Sequence, residues 1–305
     1  MNQSAISPSA SDPDPVLAAQ AATDTLVSTV NKQMAEGTFD ASNESVLRQL
    51  VEAFADSRGM VRLRIAETLG EIGQPATPCL LEGLAHHANP VVRRACAKTL
   101  TLIADPTAIP TLLNALFQDE DTVVKGSAVG ALARIGEPAV PPLLDILASP
   151  QHPESTKGHA AWALAFIGAE AKDYLYPALT SDSEEVRAAV ISAIAKVAEA
   201  EAKENTFTIL VQALTDPSEN VRSEAAAALG NLAYQPAVLA LLELLQHPSS
   251  ESRKAAALAL MKIGDRTALP PLRAALQQES DAALQPILKL AISQLEKQVE
   301  ASDWD

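Results

Sequence analysis

The sequence predicts an all-α protein, an α-solenoid (superhelix) of about seven helical-hairpin repeats with capping helices. Three observations carry that prediction. An apolar–basic dipeptide, or its remnant, recurs seven times, at spacings of 31, 32, 32, 30, 35 and 31 residues. Within each segment the apolar positions fall at the start and at +4, +8 and +11, which places them in one sector of a helix. The 305 residues are 48% hydrophobic but only 3% aromatic, a mixture of Ala, Leu, Val and Ile that suits closely packed helices better than a β-sandwich.

The seven starts are Val61-Arg62, Val92-Arg93, Val124-Lys125, Thr156-Lys157, Val186-Arg187, Val221-Arg222 and Ser252-Arg253. In the first segment the apolar set is Val61, Ile65, Leu69 and Ile72. Position +7 is small throughout (Thr68, Thr99, Ala131, Ala163, Ala193, Ala228, Ala259), so a neighbouring helix can approach closely. Position +12 is Gly73, Gly136, Gly168 and Gly264, or Ala104, Ala198 and Ala233, the expected stop of the first helix. A proline then often opens the second helix, as at Pro110, Pro141 and Pro270. That helix carries a Leu-Leu-x-x-Leu core, for example Leu80, Leu81 and Leu84. No such unit buries its faces alone, so stacking supplies the core.

The ends are read separately. Residues 1–13 are rich in Ser, Pro and Asp and are expected to be disordered. Residues 14–55 hold N-terminal capping helices, Pro15 to Met34 and Ser42 to Ala55. The repeats occupy 56–281, a C-terminal capping helix 282–299, and an acidic tail 300–305.

With 23 Lys and Arg against 38 Asp and Glu, the net charge is −15. A chain with no basic surplus is a poor nucleic-acid binder, because it has nothing with which to displace phosphate counterions. No apolar run approaches the ~20 residues of a membrane span. Two cysteines make no disulfide scaffold, so a cytoplasmic location is expected. A phosphate-binding glycine loop, a nucleophile elbow and a His-Glu-x-x-His zinc motif are all missing.

The residues Val-Arg, then Leu-Gly-x-Ile-Gly, then Ala-x-Pro-x-Leu-Leu, seen with small departures in Val61 to Leu81, Val124 to Leu144 and Arg253 to Leu272, resemble the HEAT-like repeats of the phycobilisome-lyase type. The helix from Lys157 to Gly168, with Ala160-Ala161-Trp162, is similar to helices of the lyase subunits. The family includes cyanobacterial subunits that attach or detach bilins on phycobiliproteins, phycobilisome-degradation factors and a helper of iron–sulfur assembly. The resemblance implies first a protein-binding scaffold or adaptor acting on phycobiliproteins or the phycobilisome, in assembly or degradation. It implies as alternatives a bilin lyase or lyase-like subunit holding a tetrapyrrole, and an iron–sulfur assembly helper. In the lyase case the reactive thiol belongs to the phycobiliprotein, and a phycobilin is the implied ligand; otherwise no cofactor is expected. The implied partner is a phycobiliprotein or a related HEAT-like subunit.

Four sets of residues are candidates for function. The cations at +1 (Arg62, Arg93, Lys125, Lys157, Arg187, Arg222, Arg253) read as a structural ladder, each pairing with an acid or a helix-end carbonyl of the adjacent unit; the competing reading is a cationic groove for propionates. Glu82, Asn114, Asp145, Gln212 and Glu243 form a polar row on the second helices, about 150° from their buried side, where solenoids commonly bind partners. Trp162, Phe166, Tyr174 and Tyr176 are four of the ten aromatic residues and fall within one repeat, with His159 beside them, so they are the strongest candidate partner site. The +6 position of Trp162 points outward on the pattern of its counterparts, unless the insertion Ser149 to Ser155 folds over it. No catalytic residue is assigned. Cys79 is a weak metal alternative with Cys96, His86 and His87, whose spacing matches no metal motif.

Overall fold

The computed structural model describes residues 14–201 and 203–302, with side chains to residue 297. The segment 1–13 and the last three residues of the acidic tail therefore lie outside the described residues. All regular structure among the described residues is helical. The chain forms two compact units, one ending at Ile135 and one beginning at Gly136.

In the first unit α1 (Pro15–Ala35) and α2 (Glu44–Glu52) precede the repeats. First helices α3 (Gly59–Ile72), α5 (Pro90–Ile103) and α7 (Thr122–Ile135) stack side by side. Second helices α4 (Thr77–His86) and α6 (Ile109–Gln118) form the other layer. Helix α1 covers α3 and α2 covers α4, so the first pair of repeat helices is not left bare.

The second unit opens with α8 (Val140–Ala148). First helices α9 (Glu154–Ile167), α11 (Glu184–Glu201), α13 (Glu219–Asn231) and α15 (Ser250–Ile263) alternate with second helices α10 (Lys172–Ala178), α12 (Glu204–Gln212), α14 (Val238–Leu244) and α16 (Leu269–Gln278). Helix α17 (Gln285–Ser302) closes the stack on α15 and α16 and runs into the segment expected as tail. In both units the closest approaches join successive first helices, or a second helix and the first helix that follows it.

The core is aliphatic. Ile65, Leu69, Leu80, Leu84 and Leu112 are fully buried in the first unit, and Leu164, Leu210, Leu229, Leu241 and Leu260 in the second. Every +7 residue, from Thr68 to Ala259, is buried between neighbouring helices. Gly230 shows how close that approach is: a Cβ there would sit 2.8 Å from the backbone Cα of Ala259.

Most first helices stop where a positive φ is needed. Gly73, Gly136, Gly168 and Gly264 have φ between 53° and 81°, and Ala104 and Ala233 adopt φ of 53° and 48° without the freedom of glycine. Ala198 does not follow the expectation. Helix α11 continues through it to Glu201, taking up part of the longer spacing of that repeat. Prolines sit in the first turn of α6, α8 and α16, where no amide hydrogen is missed. No helix among the described residues is long and apolar enough to cross a membrane.

Candidate functional site

The ladder cations are bonded inside the stack. The Nη1 group of Arg62, Arg93, Arg187, Arg222 and Arg253 donates to the carbonyl six residues earlier, at 2.5 to 3.0 Å. Those carbonyls lie in the turn that follows the preceding second helix, so each guanidinium satisfies a backbone acceptor outside the helix ladder. Three of the arginines also fork onto an acid of the next repeat: Arg93 on Asp119, Arg187 on Asp216 and Arg253 on Glu279, at 2.7 to 2.9 Å. Lys157 instead meets Glu185 at 2.9 Å. Lys125 reaches the Phe117 carbonyl at 3.5 Å. The hydrogen bond from Arg93, with less from its charge, holds Asp119 below the usual carboxylate range against the opposing effect of burial. The row thus presents little free positive charge, and the propionate groove has no support in its geometry.

The same loops hold a feature that the sequence reading missed. In the turn after each second helix, one to four residues beyond it, a side chain accepts the backbone N–H two positions on. In the described loops it is Asp56, His87, Asp119, Ser149, Ser181, Asp216, His247 and Glu279, at 2.8 to 3.3 Å. Such a turn starts the next first helix. Its signal in the sequence is an acceptor side chain six residues before most of the +1 cations, upstream of where the repeat was taken to start.

On α9 the aromatic pair faces outward. Trp162 is 52% and Phe166 60% exposed, and their rings stack with centroids 5.6 Å apart at 28°. The insertion does not cover them. His159 is half-buried one turn earlier. Beyond its first turn the exposed residues of α9 are Gly158, Trp162 and Phe166, all uncharged, whereas Glu67 of α3, Lys98 of α5, Arg134 of α7, Lys196 of α11, Glu224 of α13 and Lys262 of α15 put charge on the corresponding faces. Tyr174 and Tyr176 do not join this pair. They lie on α10, the second helix, where Tyr174 is exposed and Tyr176 is half-buried. The residues expected from sequence as one cluster are thus divided between two successive helices, α9 and α10.

The polar-row residues Glu82, Asn114, Asp145, Gln212 and Glu243 are all exposed. Glu82 is held by Arg48 at 3.3 Å. Beside it a cavity of about 350 Å³ is lined by Arg48, Glu52, Cys79, His86 and His87. No group of three His, Cys, Asp or Glu side chains among the described residues could hold a metal ion. Cys79 is buried and its thiol is pushed up by desolvation, partly offset by Arg48. Cys96, at the core +4 position, is pushed up by burial to about 12. Neither thiol is poised as a thiolate ligand.

A family model for HEAT repeats matches residues 77–156 and 207–291, more than half of the chain. The bilin biosynthesis protein MpeU of Synechococcus sp. (strain WH8020) is 36% identical over 273 residues, 89% of this chain and 92% of its own. Among solved structures, karyopherin Kap121p bound to the extreme C-terminus of the protein phosphatase Cdc14p is similar with a TM-score of 0.50 and 15% identity, over 83% of this chain and 38% of that one. The complex of CpcE and CpcF of phycocyanin lyase from Nostoc sp. PCC7120 has 20% identity over 81% of this chain and 93% of that chain, with a TM-score of 0.33. The karyopherin likeness speaks to the repeat fold alone. The chain is a HEAT-repeat protein and belongs to the same family as the bilin biosynthesis protein MpeU.

Proposed function

We propose that the protein is bilin lyase-like: it holds an open-chain tetrapyrrole and presents it to a phycobiliprotein. The observation that carries this reading is the identity of 36% to a bilin biosynthesis protein across 89% of the chain. The chemistry asked of the protein is binding and orientation, which lower the barrier by fixing the reactants in place. Because the ladder cations are engaged, the tetrapyrrole carboxylates are met by exposed cations outside the ladder. The aromatic pair of α9 supplies the apolar contact surface.

The adaptor reading, in which the chain grips a phycobiliprotein without holding pigment, is favoured by one observation. Trp162 and Phe166 form an uncharged, exposed face on a chain of net charge −15, suited to short-range contact with a protein partner. Purification from cells that make bilin but no phycobiliprotein separates the two. Visible absorbance that stays with the chain supports the lyase-like reading. A colourless chain that captures pigmented phycobiliprotein when it is supplied supports the adaptor.

A further inference from the structure

Two loops of the second unit differ at one position in a way that changes their chemistry. Asp216-Pro217-Ser218 precedes α13 and His247-Pro248-Ser249 precedes α15. Asp216 Oδ1 accepts the Ser218 N–H at 2.8 Å, and His247 Nδ1 accepts the Ser249 N–H at 3.0 Å. A carboxylate keeps that acceptor down to strongly acidic pH. An imidazole keeps it only while Nδ1 carries no proton.

The surroundings make that proton costly. The charged groups facing the ring are Arg222 and Glu219 of α13 and Arg253 of α15. Arg253 Nη1 is already bonded to the His247 carbonyl at 2.9 Å. The buried Arg222 is fixed by Ser252 Oγ at 3.0 Å and by the Asp216 carbonyl. Ser249 ties the loop to both helices, because its hydroxyl donates to Glu219 and accepts from the Ser252 N–H. Burial first, then the two guanidiniums, hold His247 below the ordinary histidine value, with Glu219 opposing them.

We infer that the His247 loop is a proton-operated joint: protonation removes the acceptor that starts α15 and loosens the α13–α15 seam. Below the ordinary histidine value the unfolded or opened loop binds more protons than the closed one, so the contribution of the joint is full above that value and is lost progressively as pH falls from it through the lowered value of the closed loop. The neighbouring seam at Asp216 carries no such group. The loop at His87 differs too, since its Nε2 lies 3.3 Å from a Glu52 carboxylate oxygen.

The test is hydrogen exchange of the full chain, read by mass spectrometry at about pH 7.5 and about pH 5.5 with intrinsic rates corrected. Peptides spanning 247–256 are expected to exchange several-fold faster at the lower pH in the wild type, with peptides spanning 216–225 unchanged. His247→Asp, which restores the carboxylate of the sister loop, removes the acceleration. Should that variant fail to fold, His247→Ser repeats the acceptor used at Ser149 and Ser181 and serves the same purpose. Acceleration that persists in either folded variant overturns the inference. So does equal opening of both seams, or no opening in the wild type.

Discussion

Arg187 grips Asp216 with two parallel bonds, Nε to Oδ2 and Nη2 to Oδ1, both 2.9 Å, and turns its remaining Nη1 to the Ser181 carbonyl at 2.8 Å. One side chain therefore ties the turn after α10, the start of α11 and the turn after α12. Both partners are largely shielded from water, so the pair is worth more than an exposed one. Arg187→Ala strips a shielded carboxylate of its ion pair and the Ser181 carbonyl of its guanidinium donor, and is expected to cost about 2–4 kcal/mol. Urea unfolding measures it. A loss under ~0.5 kcal/mol would mean that the ladder is ornamental.

The forks also set the acid limit. Hydrogen bonds from Arg93 and Arg253 hold Asp119 and Glu279 below their ordinary values, and one from Lys157 takes Glu185 to about 2. A folded carboxylate with a lowered pKa contributes stability that is present above the unfolded value and lost as pH falls through the folded one. Stability is therefore expected to fall from about pH 4.5 downwards, and Asp119→Asn flattens that limb while lowering stability at neutral pH. Denaturation midpoints against pH check this. An unchanged acid limb in the variant would contradict it.

Backbone geometry makes three opposed substitutions informative. Ala104 sits in the left-handed region at φ 53°, ψ 38°, so Ala104→Gly is expected to stabilise by about 1 kcal/mol. Gly126 has open space around its missing Cβ in the middle of α7, and Gly126→Ala stabilises by roughly 0.5–1 kcal/mol through helix propensity. Gly230→Ala drives a methyl into the Ala259 backbone and destabilises by about 1–3 kcal/mol. Chemical denaturation of the three variants gives the signs directly.

Trp162 lies outside the core, so Trp162→Ala should leave the unfolding midpoint within ~0.5 kcal/mol of the wild type. Capture of a partner should weaken by at least ~2 kcal/mol, as at an interface anchor. Titration calorimetry against a phycobiliprotein subunit, beside a thermal melt, reads both. An unchanged affinity removes the pair from the binding surface.

The helical register was legible because burial repeats: Val61, Ile65 and Leu69 could be placed on the core face from their spacing alone, and all three are buried there. The ladder was legible as a repeated cation, but its partners were not. The fork on Asp119 lies 26 residues away, and the carbonyl of His87 carries no side-chain signature. The outward face of Trp162 followed from its counterparts at the same position. Tyr174 and Tyr176, its neighbours along the chain, lie on the next helix, which closeness in sequence alone does not reveal. The end of α11 was misjudged at Ala198, since alanine supports a helix as readily as it ends one.

The central claim is that this protein handles bilin. The most direct measurement is bilin occupancy of phycobiliprotein cysteines, read by peptide mass spectrometry in bilin-producing cells that express phycobiliprotein subunits with and without this chain. The account predicts that occupancy, or the identity of the attached bilin, changes at one cysteine or more when the chain is present. Identical occupancy and identity at every cysteine would contradict it.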